Sequence, residues 1–266
     1  MIVAGIDAGQ QTTKVVITED SKILSAVTLR ARGKSAIQVG EEALSQAAEK
    51  ADLSVDDIEY SVATGSRRRY LLFAKQQEVD VICLARGASL LFPSARTVVD
   101  IGAERALALR CADGEPLDFA SNEKCASGSG IYLETAAKIM HVGVEESGEL
   151  SLQSKEEFTI TSSCPVFAES EIVSLVHMQK QLADILSAVY SGVALRTYSL
   201  LMKVGLEKDV VMVGGVARNI GMVKAIEKQI GFDLLIPGNP EIVAALGAAF
   251  CALQAGQSNK GNTEAS

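Results

Sequence analysis

Short apolar, β-branched runs separated by polar turns fill the first thirty residues, and this pattern predicts strands. The runs Ile2 to Ile6 and Lys14 to Thr18 flank a glycine-containing turn over residues 7–13, and a third strand is predicted over residues 23–29. Apolar positions near helical spacing then predict a helix over residues 35–50. A strand over residues 58–64 and a helix over residues 74–90 follow.

The pattern of strand, Asp-x-Gly turn and strand occurs again near residue 100. Residues 97–105 run into the turn Asp100-Ile101-Gly102, and residues 106–111 return as a strand before the hairpin turn Asp113-Gly114. A unit repeated at this distance predicts two related α/β domains. We expect an N-terminal domain over residues 1–94, a second domain carrying two polar-flanked cysteines over residues 95–242, a closing helix over residues 243–255 and a flexible tail over residues 256–266. The second domain should hold helices over residues 128–141, 167–176, 180–204 and 219–230, and a buried strand from Val210 to Val213.

Composition is that of a globular protein. The chain has 266 residues, of which 48% are hydrophobic and 22% charged, and this excludes a disordered protein. The net charge is −8 and the pI is about 5.0, which argues against nucleic acid as the main partner. Charges or glycines interrupt the long apolar runs, and the N-terminus resembles no export signal. We therefore expect a cytoplasmic protein with no membrane or nucleic-acid partner.

The first glycine turn has the chemistry of a phosphate site. Its backbone N–H groups can bond phosphate oxygens, Gly9 lets a phosphate approach, and Asp7 at a strand end can hold Mg²⁺ through water. Asp100 and Gly102 repeat this chemistry, and Gly214-Gly215 after a strand would let an adenine ring lie over bare backbone. The expected nucleotide site comprises Asp7 and Asp100 as catalytic residues, with Gly9, Gln10, Gln11, Thr12, Thr13, Lys14, Gly102, Gly214, Gly215 and Asn219 as binding residues.

Two basic features near this turn have more than one interpretation. Lys14 follows the turn and either faces the nucleotide or lies on the strand surface. The triplet Arg67-Arg68-Arg69 is a solvated turn, a docking patch for an acidic partner or a contact near the nucleotide. Neither a P-loop nor a Rossmann glycine pattern occurs, so the nucleotide architecture is a different one.

The order of these motifs resembles the superfamily of actin, heat-shock chaperones and sugar kinases. Asp7-Ala8-Gly9, Asp100-Ile101-Gly102, Val213-Gly214-Gly215-Val216 and the small-residue helix over residues 244–249 carry the resemblance. It implies two ribonuclease-H-like α/β domains with MgATP or MgADP bound in the cleft between them.

The five cysteines fall into two groups. Their odd number and the absence of a C-x-x-C pair argue against a disulfide framework, and Cys83, Cys111 and Cys251 lie in apolar runs typical of core. Cys125 and Cys164 instead precede predicted helix starts, where the helix dipole stabilises a thiolate. One interpretation is a pair of buried structural thiols. The other is iron–sulfur ligation, in which two chains together supply the four thiolates of a [4Fe–4S] cluster.

The segments around these two cysteines resemble a specific family. Cys125-Ala126-Ser127-Gly128-Ser129-Gly130 and residues 163–171 are similar to the activators of 2-hydroxyacyl-CoA dehydratases and to the ATP-binding subunits of benzoyl-CoA reductase. The resemblance implies that Cys125 and Cys164 ligate one [4Fe–4S] cluster shared by a homodimer, or by a heterodimer with a related ATPase subunit. It also implies an anaerobic protein in which ATP hydrolysis drives a low-potential electron to an iron–sulfur reductase or dehydratase component acting on a CoA thioester, with ferredoxin or flavodoxin as the electron source.

Within the family, the motifs Ala85-Arg86-Gly87-Ala88, Asp100-Ile101-Gly102-Ala103 and residues 126–130 look more like a benzoyl-CoA reductase subunit. Activators tend to carry Gly-Gln-Asp where this chain has Ala103-Glu104-Arg105, and Pro165 is also unusual. Two other functions remain open: a small-molecule kinase of the same superfold without a cluster, and a non-catalytic, nucleotide-dependent assembly protein.

Overall fold

A computed structural model describes residues 1–122, 128–160 and 165–264. The chain forms two compact units: the first comprises residues 1–94, 111–116 and 241–266, and the second residues 95–110 and 117–240. The division after residue 94 falls where the second strand–turn–strand pattern begins. The first unit also includes the last helix, which the sequence had placed in a segment of its own.

The first unit contains a five-stranded sheet in the order β3-β2-β1-β4-β5. β1 is antiparallel to β2 and parallel to β4. Its elements are β1 (Ile2–Ala8), β2 (Thr12–Glu19), β3 (Lys22–Arg30), α1 (Ala36–Lys50), β4 (Tyr60–Thr64), β5 (Gln76–Gln77), α2 (Asp80–Leu91) and α8 (Val243–Glu264).

Helices cover both faces of this sheet, because successive side chains of β1 point to opposite sides. Ala4 and Ile6 pack with α1 residues such as Leu44, whereas Val3 packs with α2 and α8. Gly5 lets α8 lie directly on β1, since a Cβ there would overlap the backbone of α8. The sheet is therefore a buried central layer.

The second unit contains a four-stranded sheet in the order β8-β7-β6-β9. β6 is antiparallel to β7 and parallel to β9, as β1 is to β2 and β4. Its core joins β6 and β9 to four helices through residues such as Leu133, Leu186 and Met212. The elements are β6 (Thr97–Ile101), β7 (Ala106–Ala112), β8 (Glu115–Ser121), α3 (Gly130–Ile139), α4 (Val144–Ser151), α5 (Pro165–His177), α6 (Leu182–Lys203), β9 (Val210–Val213) and α7 (Ile220–Ile230).

The structure corrects several predicted boundaries. α2 begins at Asp80 rather than at residue 74, because residues 76–77 pair with β4 as an edge strand. β8 and α4 were not predicted, since β8 is a mostly exposed edge strand and α4 is polar. α8 continues to Glu264 instead of ending at residue 255, and Gly256 packs against Met1 and Tyr60.

Among the residues that the structure describes, one helix is long and apolar enough to cross a membrane, although the interrupted apolar runs of the sequence did not predict one. This helix is α6, and 56% of its most apolar 18-residue stretch is buried inside the protein. Ile185, Leu186, Val189 and Val193 belong to the core of the second unit. α6 therefore packs as a core helix.

Candidate functional site

The first glycine turn joins β1 to β2 and is closed by one backbone hydrogen bond. Gly9 N–H donates to Thr12 O over 3.0 Å, and a Cβ on Gly9 would lie 2.9 Å from the same oxygen. No acceptor among the described residues bonds the backbone N–H of Gln10 or Gln11. The turn therefore carries two adjacent backbone donors for an anion.

Asp7 and Lys14 form an ion pair across this hairpin. Lys14 Nζ donates to Asp7 Oδ2 over 3.0 Å, and the two side chains are only 15% and 13% exposed. The sequence left open whether Lys14 faces the nucleotide or lies on the strand surface. In the structure its ammonium group is held against the carboxylate of Asp7, near the end of β1. Thr13 is 4% exposed, so its hydroxyl is less accessible than that of the half-buried Thr12.

The end of β4 passes directly beside Asp7. Gly65 has φ +89°, and a Cβ there would overlap Asp7 Oδ1. The backbone N–H of Arg67 then donates to Ala8 O over 2.9 Å. The segment after β4 is therefore fixed to the first turn, which explains why the arginine triplet lies close to it.

The second glycine turn, residues 102–105, repeats the first. Gly102 N–H donates to Arg105 O over 2.8 Å, and no acceptor among the described residues bonds the N–H of Ala103 or Glu104. Beside it, Gly214 at the end of β9 has φ +85°, and a Cβ there would overlap Asp100 Oδ1. Each unit thus places an aspartate, a glycine turn and a positive-φ glycine together.

The second turn is bonded to the start of α3. Gly130 N–H donates to Gly102 O and Ile131 N–H to Ala103 O, each over 2.9 Å. Asn122 accepts the Ala106 N–H with Oδ1 over 2.8 Å, and its own N–H donates to Ala106 O over 3.0 Å. Asn122 and Gly130, on either side of Cys125 in the chain, are therefore anchored to the hairpin that carries this turn.

Gly214 and Gly215 lie where β9 ends and differ in their surroundings. Gly214 N–H donates to Pro240 O over 2.9 Å, and the position needs glycine because of its positive φ. Gly215 is exposed, and a Cβ added there would meet nothing within 4 Å. The backbone at Gly215 is thus open to a flat ligand.

Asn219 is tied into the fold by three side-chain hydrogen bonds. Its Oδ1 accepts the Met222 N–H over 3.0 Å as the N-cap of α7, and its Nδ2 donates to Val144 O and Tyr190 Oη over 2.8 and 3.0 Å. Burial raises the pKa of Tyr190, whose hydroxyl also bonds Ser147. The sequence predicted an adenosine contact at Asn219 and did not reveal this network, because its partners come from three separate elements.

Both candidate cluster ligands, Cys125 and Cys164, lie outside the described residues. The helices that follow them in the chain begin at Gly130 and at Pro165. The three other cysteines are buried, as the apolar runs predict. Cys251 accepts a hydrogen bond from Arg86 Nη1 over 3.2 Å, and hydrogen bonds from Cys83 and Arg86 lower its pKa to about 7.

Two α/β units, each with an Asp-x-Gly turn between antiparallel strands and a glycine at the end of the adjoining parallel strand, define an ATPase of the actin-like superfold. The match extends to the sequence level. Residues 4–252 match the BadF/BadG/BcrA/BcrD ATPase family, and the chain belongs to that family.

Three similar proteins illustrate this membership. The chain is 39% identical to the activator of lactoyl-CoA dehydratase from Anaerotignum propionicum, over 97% of this chain and 99% of that protein. It is 32% identical to one of the subunits of benzoyl-CoA reductase from Thauera aromatica, over 86% and 83% of the two chains. The activator of the 2-hydroxyisocaproyl-CoA dehydratase from Clostridium difficile, solved with bound ADPNP, superposes with a TM-score of 0.93 at 35% identity and covers 98% of both chains.

Proposed function

We propose that this protein is a cytoplasmic ATPase of anaerobic metabolism that delivers low-potential electrons to an iron–sulfur dehydratase or reductase acting on a CoA thioester. The bonds from Gly130 and Ile131 to the second glycine turn are the observation that carries this proposal. These bonds join the glycine turn over residues 102–105, which we expect to bind nucleotide, to the helix that follows Cys125 in the chain. Identity is higher to the dehydratase activator than to the reductase subunit, so we favour an activator.

The proposed nucleotide contacts follow from the chemistry of the two turns. The N–H donors of Gln10 and Gln11, and those of Ala103 and Glu104, suit phosphate oxygens, and Gly215 suits the adenosine. Asp7 and Asp100 supply hard oxygen donors for Mg²⁺. Because Lys14 already neutralises Asp7 Oδ2, we expect Asp7 to hold the metal through water.

The proposed electron carrier is a [4Fe–4S] cluster held by Cys125 and Cys164 of each of two chains, which supplies one-electron chemistry when bound. The protein's part is to move the ligand segments. A displacement of residues 102–105 on hydrolysis passes through two backbone bonds to α3, the helix that follows Cys125 in the chain. Ferredoxin or flavodoxin is the proposed donor, and the dimer is formed by two copies or with a related ATPase chain.

The test is iron and sulfide analysis with electron paramagnetic resonance of anaerobically purified, dithionite-reduced protein, with and without MgATP. We expect about four irons per two chains, a spectrum altered by MgATP, and loss of iron in Cys125→Ala and Cys164→Ala. Cys111→Ala, which removes a buried thiol of β7, is the matched control and keeps its iron.

Two results would contradict the proposal. Protein that stays free of iron after anaerobic reconstitution, yet binds and hydrolyses ATP, excludes the electron-transfer function. Phosphate transfer to an added small alcohol by the Cys125→Ala variant would instead establish the alternative, a kinase of the same superfold.

A further inference from the structure

A groove of about 540 Å³ adjoins the first glycine turn in the first unit. Its lining includes Gln10 at the tip of the turn, Ser35 at the start of α1, and Ser66, Arg67 and Tyr70 from the segment after β4. The volume lies within the range of about 300–1,000 Å³ typical of small-molecule sites. The groove is therefore continuous with the turn and large enough for a polyphosphate group.

Arg67 is the one charged residue among those that line this groove, and the segments that supply the lining are rich in basic residues. Residues 8–18, 24–40 and 60–77 contain eight of the 25 Lys and Arg residues and none of the 33 Asp and Glu residues. Arg30, Arg32, Arg67 and Arg69 form no ion pair with any residue that the structure describes. No described acidic residue pairs with Arg67, so its guanidinium gives the groove a positive charge that favours an anion.

Arg67 is the arginine whose position is set by the turn itself. Its backbone N–H donates to Ala8 O over 2.9 Å, and its guanidinium Nη1 lies 3.5 Å from Gln10 O at the edge of hydrogen-bond range. Both contacts lie in the hairpin that carries the N–H groups of Gln10 and Gln11, which no described residue accepts. The guanidinium and the backbone donors are thus held close together, and a guanidinium suits a phosphate with two parallel hydrogen bonds.

We propose that Arg67 binds the terminal phosphate of ATP and stabilises the charge that develops on it during hydrolysis. The inference rests on the proposed function, because it requires the first turn to bind ATP phosphates. In the reaction a water oxygen bonds to the γ-phosphorus, and the bond to the bridging oxygen breaks with its electron pair leaving on ADP. One proton of the water is released to solvent. Arg67 stays protonated and contributes electrostatically.

A phosphate is favoured over the carboxylates of an acidic partner for two reasons. The groove is concave and opens beside unpaired backbone donors, and such donors bind a compact polyanion better than a protein surface. Moreover, Arg67 is half-buried and held at both ends, whereas the exposed Arg69 has no such contacts among the described residues. An acidic partner that docks on this surface would contact the exposed Arg69 at least as much as Arg67.

The experiment compares Arg67→Ala, Arg67→Lys and the matched control Arg69→Ala, which removes the same charge from the same segment. We expect Arg67→Ala to lower kcat for ATP hydrolysis by about 100-fold or more, the effect typical of losing one transition-state donor. Affinity for ADP should stay within about threefold in the same variant, since ADP lacks the terminal phosphate. Arg67→Lys should recover part of kcat, and Arg69→Ala should match the wild type.

Other outcomes have distinct meanings. Equal kcat in Arg67→Ala and Arg69→Ala, with unchanged thermal unfolding, overturns the assignment of Arg67 while leaving the proposed function in place. Normal hydrolysis with lost activation of the partner enzyme in both variants shows a docking surface instead, and also overturns it. A wild-type protein that binds no ATP overturns the proposed function and this inference together, whereas an ATPase without iron overturns only the electron-transfer proposal.

Discussion

The backbone of Gly65 lies against the carboxylate of Asp7 so closely that a Cβ on Gly65 would overlap Asp7 Oδ1. The second unit has the same relationship between Gly214 and Asp100, and both glycines have φ near +85° to +89°. In each sheet the aspartate ends the strand that pairs in parallel with the strand leading to the glycine. Two related units have therefore kept the same contact at the residues that we assign to phosphate and Mg²⁺.

This contact predicts that Gly65→Ala and Gly214→Ala each destabilise the protein. A non-glycine residue at such a φ costs of order 1–3 kcal/mol, and the overlap with the carboxylate adds to it. Urea denaturation should show a lower midpoint for both variants. Gly215→Ala, at an open position beside Gly214, is the control and should keep the wild-type midpoint. Equal midpoints for all three variants would contradict the tight packing of glycine on aspartate.

Gly130 offers a test of the link between the second turn and α3. Proline at the first helical position lacks the N–H but is otherwise tolerated there, and Ser129 before it is already extended. Gly130→Pro should lose the bond to Gly102 O and push this oxygen away from the proline ring, whereas Gly130→Ala keeps the N–H and adds only a Cβ about 3.2 Å from the same oxygen. We expect ATP hydrolysis by both variants, with a weaker MgATP effect on the paramagnetic spectrum in Gly130→Pro alone. An identical MgATP response in both would show that the bond does not transmit the change.

Gly215 distinguishes an adenosine site from an ordinary strand end. Because an added Cβ there has no described residue within 4 Å, Gly215→Val should leave the unfolding midpoint unchanged. The isopropyl group would occupy the space over the backbone, and we expect the Kd for ATP to rise at least about tenfold, which is about 1.4 kcal/mol. Calorimetric titration measures this, with Gly238→Val as the control at another exposed, open glycine of the same unit. Unchanged affinity in Gly215→Val would remove Gly215 from the site.

Asn219 is expected to act through stability rather than through direct contact with nucleotide. Asn219→Ala removes a helix cap worth about 1 kcal/mol. It also removes the two buried hydrogen bonds of Nδ2, each worth about 0.5–1.5 kcal/mol, since Val144 O and Tyr190 Oη keep their bonds to Ser147. Asn219→Ser keeps a side-chain acceptor that can cap the Met222 N–H without placing a carboxylate oxygen against Val144 O, and it should lose less. Chemical denaturation without nucleotide measures these losses. If Asn219→Ala instead lowers the affinity for ATP and leaves stability unaltered, Asn219 contacts the adenosine as the sequence predicted.

Asp184 predicts an acid-dependent loss of stability in the second unit. The N–H groups of Glu156 and Lys155 lower the pKa of this 2% exposed carboxyl below its ordinary value of 3.8. A lowered pKa in the folded state means that the carboxylate stabilises the fold above the unfolded-state pKa, and that this contribution is lost as pH falls through the folded-state value. The stability difference between wild type and Asp184→Asn should therefore be full at pH 7 and shrink below about pH 4. If the stability difference between wild type and Asp184→Asn does not change with pH, it arises from packing rather than from the charge of the carboxylate.

The sequence alone was sufficient for the fold class and for the two turns. A β-branched run, a glycine turn and a returning strand are local features, since the backbone preferences of neighbouring residues decide them. For this reason residues 7–13 and 100–105 were recognised as a repeat, and their order carried the resemblance to the actin-like superfamily. The segments around Cys125 and Cys164 carried the resemblance to the family that the match over residues 4–252 confirms. The small residues of α8 were likewise visible as a closing helix.

Tertiary structure decided which residues meet. The contact of Gly65 with Asp7 joins residues far apart in the chain, and it exists only because β1 and β4 are parallel neighbours. The hydrogen bonds of Asn219 to Val144 and Tyr190, the bond from Gly130 to Gly102, and the position of Arg67 beside Gln10 depend in the same way on packing between elements. β8 and α4 were missed because their polar sequences carry little periodicity. Local propensity thus determined the elements and the turns, whereas the burial of sheets under helices determined the partners of each functional side chain, because non-local packing leaves no regular spacing in the chain.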